Sequence, residues 1–372
     1  MFLPPLGANG KMDHCLSKVR TVRVAYILPA LQNRGPVIFT RMLIAGLFHQ
    51  PELEMEVFYV RKRKGTIDFP VKCSQLTIGN FYKLFLFDLV HSTGFLPDLI
   101  LALLPISKQR KLASLHGFIS DDMTYTYPRW KAEIISRLWF MALRLIPNLI
   151  YSSTFMATHY RSLIGACNDV IINYGIPLPA ALSIDKPDQL VFDQYRSRSL
   201  KIIGAVCLVI KRKGLDQLVR ALVQLTDCAV VIVGEGAEST LLLDLAKRLG
   251  VSDRFTILGF RDNSCRYNCH FDLFAMVSRS EGYCLAMLEA MGCGLPLVCS
   301  RLPIYADLIP EEDLGFFELE NTQSLVLAIK KVTSNPAKYK TTSKRLYKES
   351  FLLSGMANKH IAYYGSLMKS PS

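Results

Sequence analysis

Residues 280–298 read SEGYCLAMLEAMGCGLPLV, a run in which Glu281 and Glu289 stand eight residues apart around a short Gly-led turn that enters a helix. With the helix beginning near Cys284, Glu281 lies in the preceding turn and Glu289 on the second helical turn. At a helical rise of roughly 1.5 Å per residue the two are at most about 12 Å apart, a span that suits the two ends of a nucleotide sugar. The first N–H groups of a helix have no intrahelical acceptor. Those of Tyr283, Cys284 and Leu285 would therefore face an anion placed between the carboxylates, such as a diphosphate. The spacing by itself also fits an ordinary amphipathic helix with two solvated glutamates.

Outward from this run, strand-like segments alternate with helix-length ones. They are VRVAYILPA (22–30), LEMEVFYV (53–60), LVHSTG (89–94), DLILALL (98–104) and KLASLHG (111–117), then KIIGAVCLVI (201–210), CAVVIVGEG (228–236), RFTILGF (254–260), FDLFAMVS (271–278) and LPLVCS (295–300). Such alternation predicts an α/β protein with parallel sheets and crossover helices. The polar, proline-bearing stretch around Pro177–Ser199 interrupts the pattern and reads as a linker. The expected organisation is a flexible extension over 1–20, a Rossmann-like domain over 21–178, the linker over 179–198, a second Rossmann-like domain over 199–345, and a C-terminal helix over 346–372. Two such domains facing across a cleft place ligand groups on loops at the carboxyl ends of strands.

A chain of 372 residues can fill two cores. No apolar run is long and charge-free enough to predict a membrane span, and residues 1–20 lack the apolar stretch of a signal peptide. The ten cysteines are scattered through strand-like and helix-like segments, which points to a reducing cytosol. Cys265, Cys269 and His270 lack a fourth partner for zinc, and Gly234-Glu235-Gly236 does not complete a dinucleotide fingerprint. The formal charge is +13, and the first 178 residues hold 20 Lys and Arg against 11 Asp and Glu. No nucleic-acid-reading motif accompanies this basic half, so an anionic phospholipid surface or a polyprenyl-phosphate acceptor is the better match.

The 280–298 run, continued by SRLPIYADLI, closely resembles the signature of glycosyltransferase family 4, with Gly294, Pro296 and Leu297-Val298-Cys299-Ser300 at that family's G-x-P-V-V positions. The resemblance spans most of the chain. It implies the GT-B architecture, with the terminal helix crossing back to the first domain, and retaining transfer from a nucleotide sugar without a cofactor. It also implies a set of site residues. Glu281 and His116 (in ASLHGFISDD) would act on the transferred sugar, and Glu289 on the ribose. Lys213, in KRKGLDQLVRAL, would hold the donor diphosphate, with Arg212 or Lys211 as a second charge. Gly35, in the loop of Asn33, Arg34, Gly35 and Pro36, would lie against the phosphates beside Gly282, Tyr283, Cys284 and Leu285. Phe260 and Arg261 would flank the base. The chain departs from the pattern at Leu208, where the family commonly has an arginine. No D-x-D is present, and Asp121-Asp122 reads as a bare pair, so no metal is expected and basic groups would offset the leaving-group charge.

Residues 128–150, PRWKAEIISRLWFMALRLIPNLI, combine both tryptophans with Arg129, Lys131, Arg137 and Arg144. Apolar positions 134, 135, 138, 141, 142 and 145 form a helical stripe that fits either a membrane interface or the core, and Trp130 and Trp139 project to opposite faces. The expected function is transfer of a hexose or N-acetylhexosamine, most simply UDP-linked, to a lipid-linked, lipooligosaccharide or capsule precursor. The expected site is the cytoplasm, peripheral to the inner membrane face. Two rivals stand beside it: a UDP-sugar epimerase of the same fold, and a degenerate nucleotide-sugar-binding protein.

Overall fold

The computed structural model describes residues 21–178 and 183–369 apart from Asn33 and Gly65; the expected extension 1–20 and residues 179–182 of the expected linker lie outside the described residues. The first domain comprises β1 (Val22–Leu28), α1 (Gly35–Leu47), β2 (Leu53–Tyr59), β3 (Cys73–Gln75), β4 (Leu89–Thr93), α2 (Phe95–Leu103), β5 (Lys111–Ser114), α3 (Ile119–Thr126), α4 (Arg129–Arg144), β6 (Asn148–Tyr151), α5 (Thr154–Ile164) and β7 (Asn168–Ile171). Its strands run β3-β2-β1-β4-β5-β6-β7, all parallel.

The second domain comprises α6 (Lys186–Ser197), β8 (Lys201–Val206), α7 (Asp216–Ala221), β9 (Cys228–Val233), α8 (Ser239–Arg248), β10 (Phe255–Ile257), β11 (Leu273–Met276), α9 (Leu285–Gly292), β12 (Leu297–Ser300), α10 (Pro303–Leu308), β13 (Gly315–Phe317) and α11 (Thr322–Ser334), followed by α12 (Pro336–Ser350) and α13 (Leu353–Lys369). Its sheet, β10-β9-β8-β11-β12-β13, is also parallel throughout. β4 and β9 are buried along their whole length, as parallel strands covered on both faces must be.

Strand order reverses between β1 and β4 in one sheet and between β8 and β11 in the other. At such a switch point the two following loops diverge and leave a crevice at the carboxyl edge. Lys213 follows β8 and Glu281 follows β11, so the second switch point brings them together although 68 residues separate them.

One expectation is corrected. DLILALL is not a strand: Gly94, at φ 94°, turns the chain sharply after β4, and residues 95–103 form α2. A continuous apolar run carries no period by which to tell a buried helix from a buried strand. The stretch expected as linker contains α6, whose Phe192 ring packs on Tyr267 and Phe271 of the second domain.

α13 returns to the first domain. The side chains of Leu353 and Ala357 close over Gly46 of α1, and Tyr364 Oη lies 3.0 Å from Tyr26 Oη and 2.9 Å from His91 Nδ1. His91 Nε2 continues to Ser114 Oγ at 2.7 Å. This buried polar chain ties the terminal helix to β1, β4 and β5, because leaving any of these groups unpaired away from water would be costly. α12 stays on the second domain, its Ser343 donating to the Leu295 carbonyl at 2.7 Å.

α4 separates its two tryptophans as expected. Trp139 turns inward and donates to Asp98 Oδ2 at 2.7 Å, while Ser92 donates to Oδ1 at 2.6 Å. Burial pushes the Asp98 carboxyl up to about 7. Trp130 points outward.

Candidate active site

After β8 a single 3-10 turn, Lys211–Lys213, ends at Gly214 in the left-handed conformation, φ 62°. A side chain there would be strained, and its Cβ would overlap the Val277 carbonyl. The turn is braced against the loop after β11. Arg279 N–H donates to Arg212 O at 2.8 Å, the Arg279 guanidinium reaches Lys211 O at 2.7 Å, and that guanidinium also pairs with Asp216 and Glu320.

On this brace, Glu281 is almost fully buried. Its Oε1 accepts from Lys213 Nζ at 2.5 Å and Ser278 Oγ at 2.6 Å, and Oε2 lies 3.3 Å from Arg212 Nη1. Burial alone would raise the carboxyl, yet Lys213 and Arg212 beside it hold it below its ordinary range. Burial likewise opposes the Lys213 charge, and Glu281 more than offsets it, leaving the ammonium raised. In direct ion pairs, Glu281 therefore meets two cations. Leu208, where the resemblance implied an arginine, is exposed; Arg212 reaches Glu281 instead.

The facing wall belongs to the first domain. His116 follows β5, and its Nδ1 is hydrogen-bonded to Tyr174 Oη. Its Nε2 is buried without a hydrogen-bond partner among the described residues. Burial, and then His360, lowers the imidazole to about 3, so it is neutral at pH 7. Phe39, Tyr174 and Tyr283 form a ring stack across the domain boundary, with centroids 4.3 and 4.0 Å apart. Gly282 closes the seam: a Cβ there would overlap His116 O and Gly117 Cα. Tyr174 and Ser278 were not picked out from the sequence. The usable signal was their place just after β7 and β11, at the carboxyl edge of each sheet.

Glu289 sits on α9, which starts at Leu285 with Cys284 as its N-cap. Its side chain is half-buried, and its carboxylate has no partner among the described residues; burial pushes it up to about 7. Gly35 opens α1 with Pro36 beside it, and no atom lies within 4 Å of where its Cβ would be. Phe260 is exposed. Arg261 is held by a two-pronged pair to Asp188 of α6, at 2.7 and 2.8 Å, so its guanidinium braces α6 in this conformation. Among the described residues, no cluster of three or more His, Cys, Asp or Glu is placed to hold a metal.

The raised Glu289 carboxyl gives a pH signature. The folded state binds this proton more tightly than the unfolded chain, so its contribution is present at low pH and is lost as pH rises from the ordinary value of 4.5 through about 7. Without ligand, Glu289→Gln should match the wild-type melting temperature at pH 5 and exceed it at pH 8. Equal melting at both pH values would mean that the carboxylate is solvated.

Residues 192–349 match the family described as Glycosyl transferases group 1. The chain is 25% identical over 356 residues to the O-antigen biosynthesis glycosyltransferase WclY of Escherichia coli, covering 94% of this chain and 99% of the relative. In structure it resembles a sucrose-phosphate synthase from Thermosynechococcus elongatus, with a TM-score of 0.76 and 18% identity over 93% of this chain and 99% of the other. It also resembles Anabaena HepE in complex with UDP, with a TM-score of 0.74 and 17% identity over 93% and 100%. These likenesses are of fold, and the fold is GT-B.

Proposed function

We propose that this chain, which belongs to the group 1 glycosyl transferases, moves a hexose or N-acetylhexosamine from a UDP-linked donor to a lipid-linked or lipooligosaccharide-type glycan precursor with retention at the anomeric carbon. The observation that carries this reading is the Glu281–Lys213–Arg212 nest at the β8/β11 switch point, opposite the unpartnered Nε2 of His116, with the free carboxylate of Glu289 farther along α9. Glu289 would take the ribose hydroxyls. Lys213, Arg212 and the first-turn N–H groups of α9 would take the diphosphate, with Gly35 leaving room across the cleft. Glu281 and His116 would hold the transferred sugar from opposite domains. The seam at Gly282 would keep water from the donor.

In this reading the acceptor oxygen attacks the face that the diphosphate leaves. The cations offset the charge that develops on the leaving group, and no metal is required. The O-antigen assignment in the name of the Escherichia coli relative supports the substrate class, and the UDP complex of the Anabaena protein supports the base. Thermal-shift screening tests the donor: UDP and one UDP-hexose should raise the melting temperature by mass action, and ADP and GDP should do so less. Equal shifts with all nucleotides would remove the base assignment.

The acceptor side favours a membrane surface. α4 buries Ala132, Ser136 and Leu143 and leaves Trp130, Ile134, Leu138, Met141 and Leu145 outward, each at least 45% exposed. These positions form one apolar stripe beside the exposed cations of Arg129, Lys131, Arg137 and Arg144. No described helix is long and apolar enough to cross a membrane. The stripe would lie in the interface, where each nearby cation adds about 1 kcal/mol on anionic lipid. The protein should sediment with phosphatidylglycerol vesicles at low salt, and Ile134→Glu with Met141→Glu should release it. Wild-type protein left in the supernatant would point to a soluble acceptor.

A further inference from the structure

We infer that Asp122 is the acceptor-binding carboxylate of this site: it receives a hydrogen bond from the attacking hydroxyl and aims its oxygen at the anomeric carbon. The inference rests on the donor reading above. α3 begins immediately after the His116 loop, and Asp122 lies in its first turn. Its Oδ2 folds back over Gly117, at a place that a Cβ on that glycine would occupy. Gly117 is the residue against which Gly282 of the other domain closes, so the carboxylate stands at the seam beside the reacting centre.

Charges from both domains converge there. Arg212, Glu281, Asp121 and Lys213 all act on Asp122, which burial raises above its ordinary range. Ser280 Oγ reaches neighbouring Asp121 across the cleft at 3.5 Å. The Asp122 carboxylate itself makes no side-chain hydrogen bond among the described residues. In the loop that precedes α3, His116 Nε2 is buried and also lacks a hydrogen-bond partner among the described residues. A sugar held by His116 and Glu281 would satisfy one of them, and an incoming hydroxyl the other.

The position also fits delivery of the acceptor. Exposed Tyr125 and Tyr127 follow Asp122, and the outward stripe of α4 starts at Trp130. A lipid-linked sugar entering along α4 would meet Asp122 at the cleft. In the transfer step the hydroxyl oxygen bonds to C1 as the bond from C1 to the β-phosphate oxygen breaks. The hydroxyl proton leaves its hydrogen bond to Asp122 and passes to that departing phosphate oxygen, and Asp122 begins and ends as a carboxylate.

The test compares Asp122→Asn and Asp122→Glu with wild type, using the UDP-hexose that gives the largest thermal shift and octyl hexosides as surrogate acceptors. Asp122→Asn should leave UDP affinity and acceptor-free UDP release within about threefold, and lower transfer to the octyl hexoside by about 30-fold, the range for a lost hydrogen bond to a charged group. Asp122→Glu should recover part of the transfer. Transfer at the wild-type rate in Asp122→Asn overturns the inference. So does a parallel loss of UDP affinity and transfer, which would make Asp122 a counter-charge to Arg212 and Lys213. Melting temperatures of both variants separate either result from misfolding. Wild-type protein that neither binds UDP nor releases it from any UDP-hexose would instead sink the donor reading.

Discussion

Lys213→Ala is expected to lower kcat/KM for transfer by about a thousandfold, the upper range for loss of one preorganised group facing developing charge. Lys213 Nζ is held 2.5 Å from Glu281 by a turn that Gly214 permits and Arg279 braces. Little reorganisation is therefore needed when negative charge appears on the leaving diphosphate. Arg212 lies farther from Glu281, at 3.3 Å, and already donates to the Ser280 carbonyl at 2.7 Å, so it replaces the lysine poorly. Chelation with EDTA should leave the rate within about twofold, since in the proposed reading these cations would perform the electrostatic stabilisation that a metal otherwise supplies. Activity that disappears on chelation and returns with magnesium or manganese would show that the leaving group depends on a divalent ion.

Glu281 and Glu289 should separate cleanly. Glu289→Ala is expected to weaken UDP binding by about 10- to 100-fold, as loss of a charged hydrogen-bond acceptor does. Glu281→Gln is expected to leave UDP affinity unchanged or to tighten it, while lowering turnover by about a hundredfold. The reason lies in the ligand-free geometry. Glu281 occupies both cations, and the substitution frees Lys213 and Arg212 to face the diphosphate. In the proposed reading the same substitution would also remove the acceptor for the sugar hydroxyls. Calorimetry with UDP on both variants checks this, and equal losses of affinity would contradict the division of roles.

How much of this was legible in the sequence depends on whether a feature is local. The strands at 22–28, 53–59 and 228–233 announce themselves as apolar runs bounded by turn residues, and the paired glutamates with Lys213-Gly214 mark the second domain's site. Short strands such as β3 and β13, of three residues each, carry too little pattern to see. β6 and β7, NLIY and NDVI, gain their identity from pairing with neighbours rather than from composition. The helix at 95–103 was misread because Gly94, not periodicity, sets its start.

In the site, the hidden features are those between residues far apart in sequence. The His116–Tyr174 bond spans 58 residues and the Arg212–Glu281 pair spans 69, and both follow from sheet order alone. Asp121-Asp122 read as a bare pair because nothing local distinguishes it. Its position seven and eight residues after the end of β5, at the carboxyl edge of the sheet, was the usable sign. Arg261 shows the converse: a basic residue in a ligand loop whose charge is held by Asp188 from α6.

The most direct test of the central claim is proton NMR of the purified protein with an α-linked UDP-hexose and an acceptor. With acceptor present, UDP is expected to accumulate faster than without it and in step with an α-glycoside, whose anomeric proton shows the small coupling of the retained configuration. A β-glycoside, or UDP-hexose bound without turnover in the presence of acceptor-bearing membranes, would contradict it.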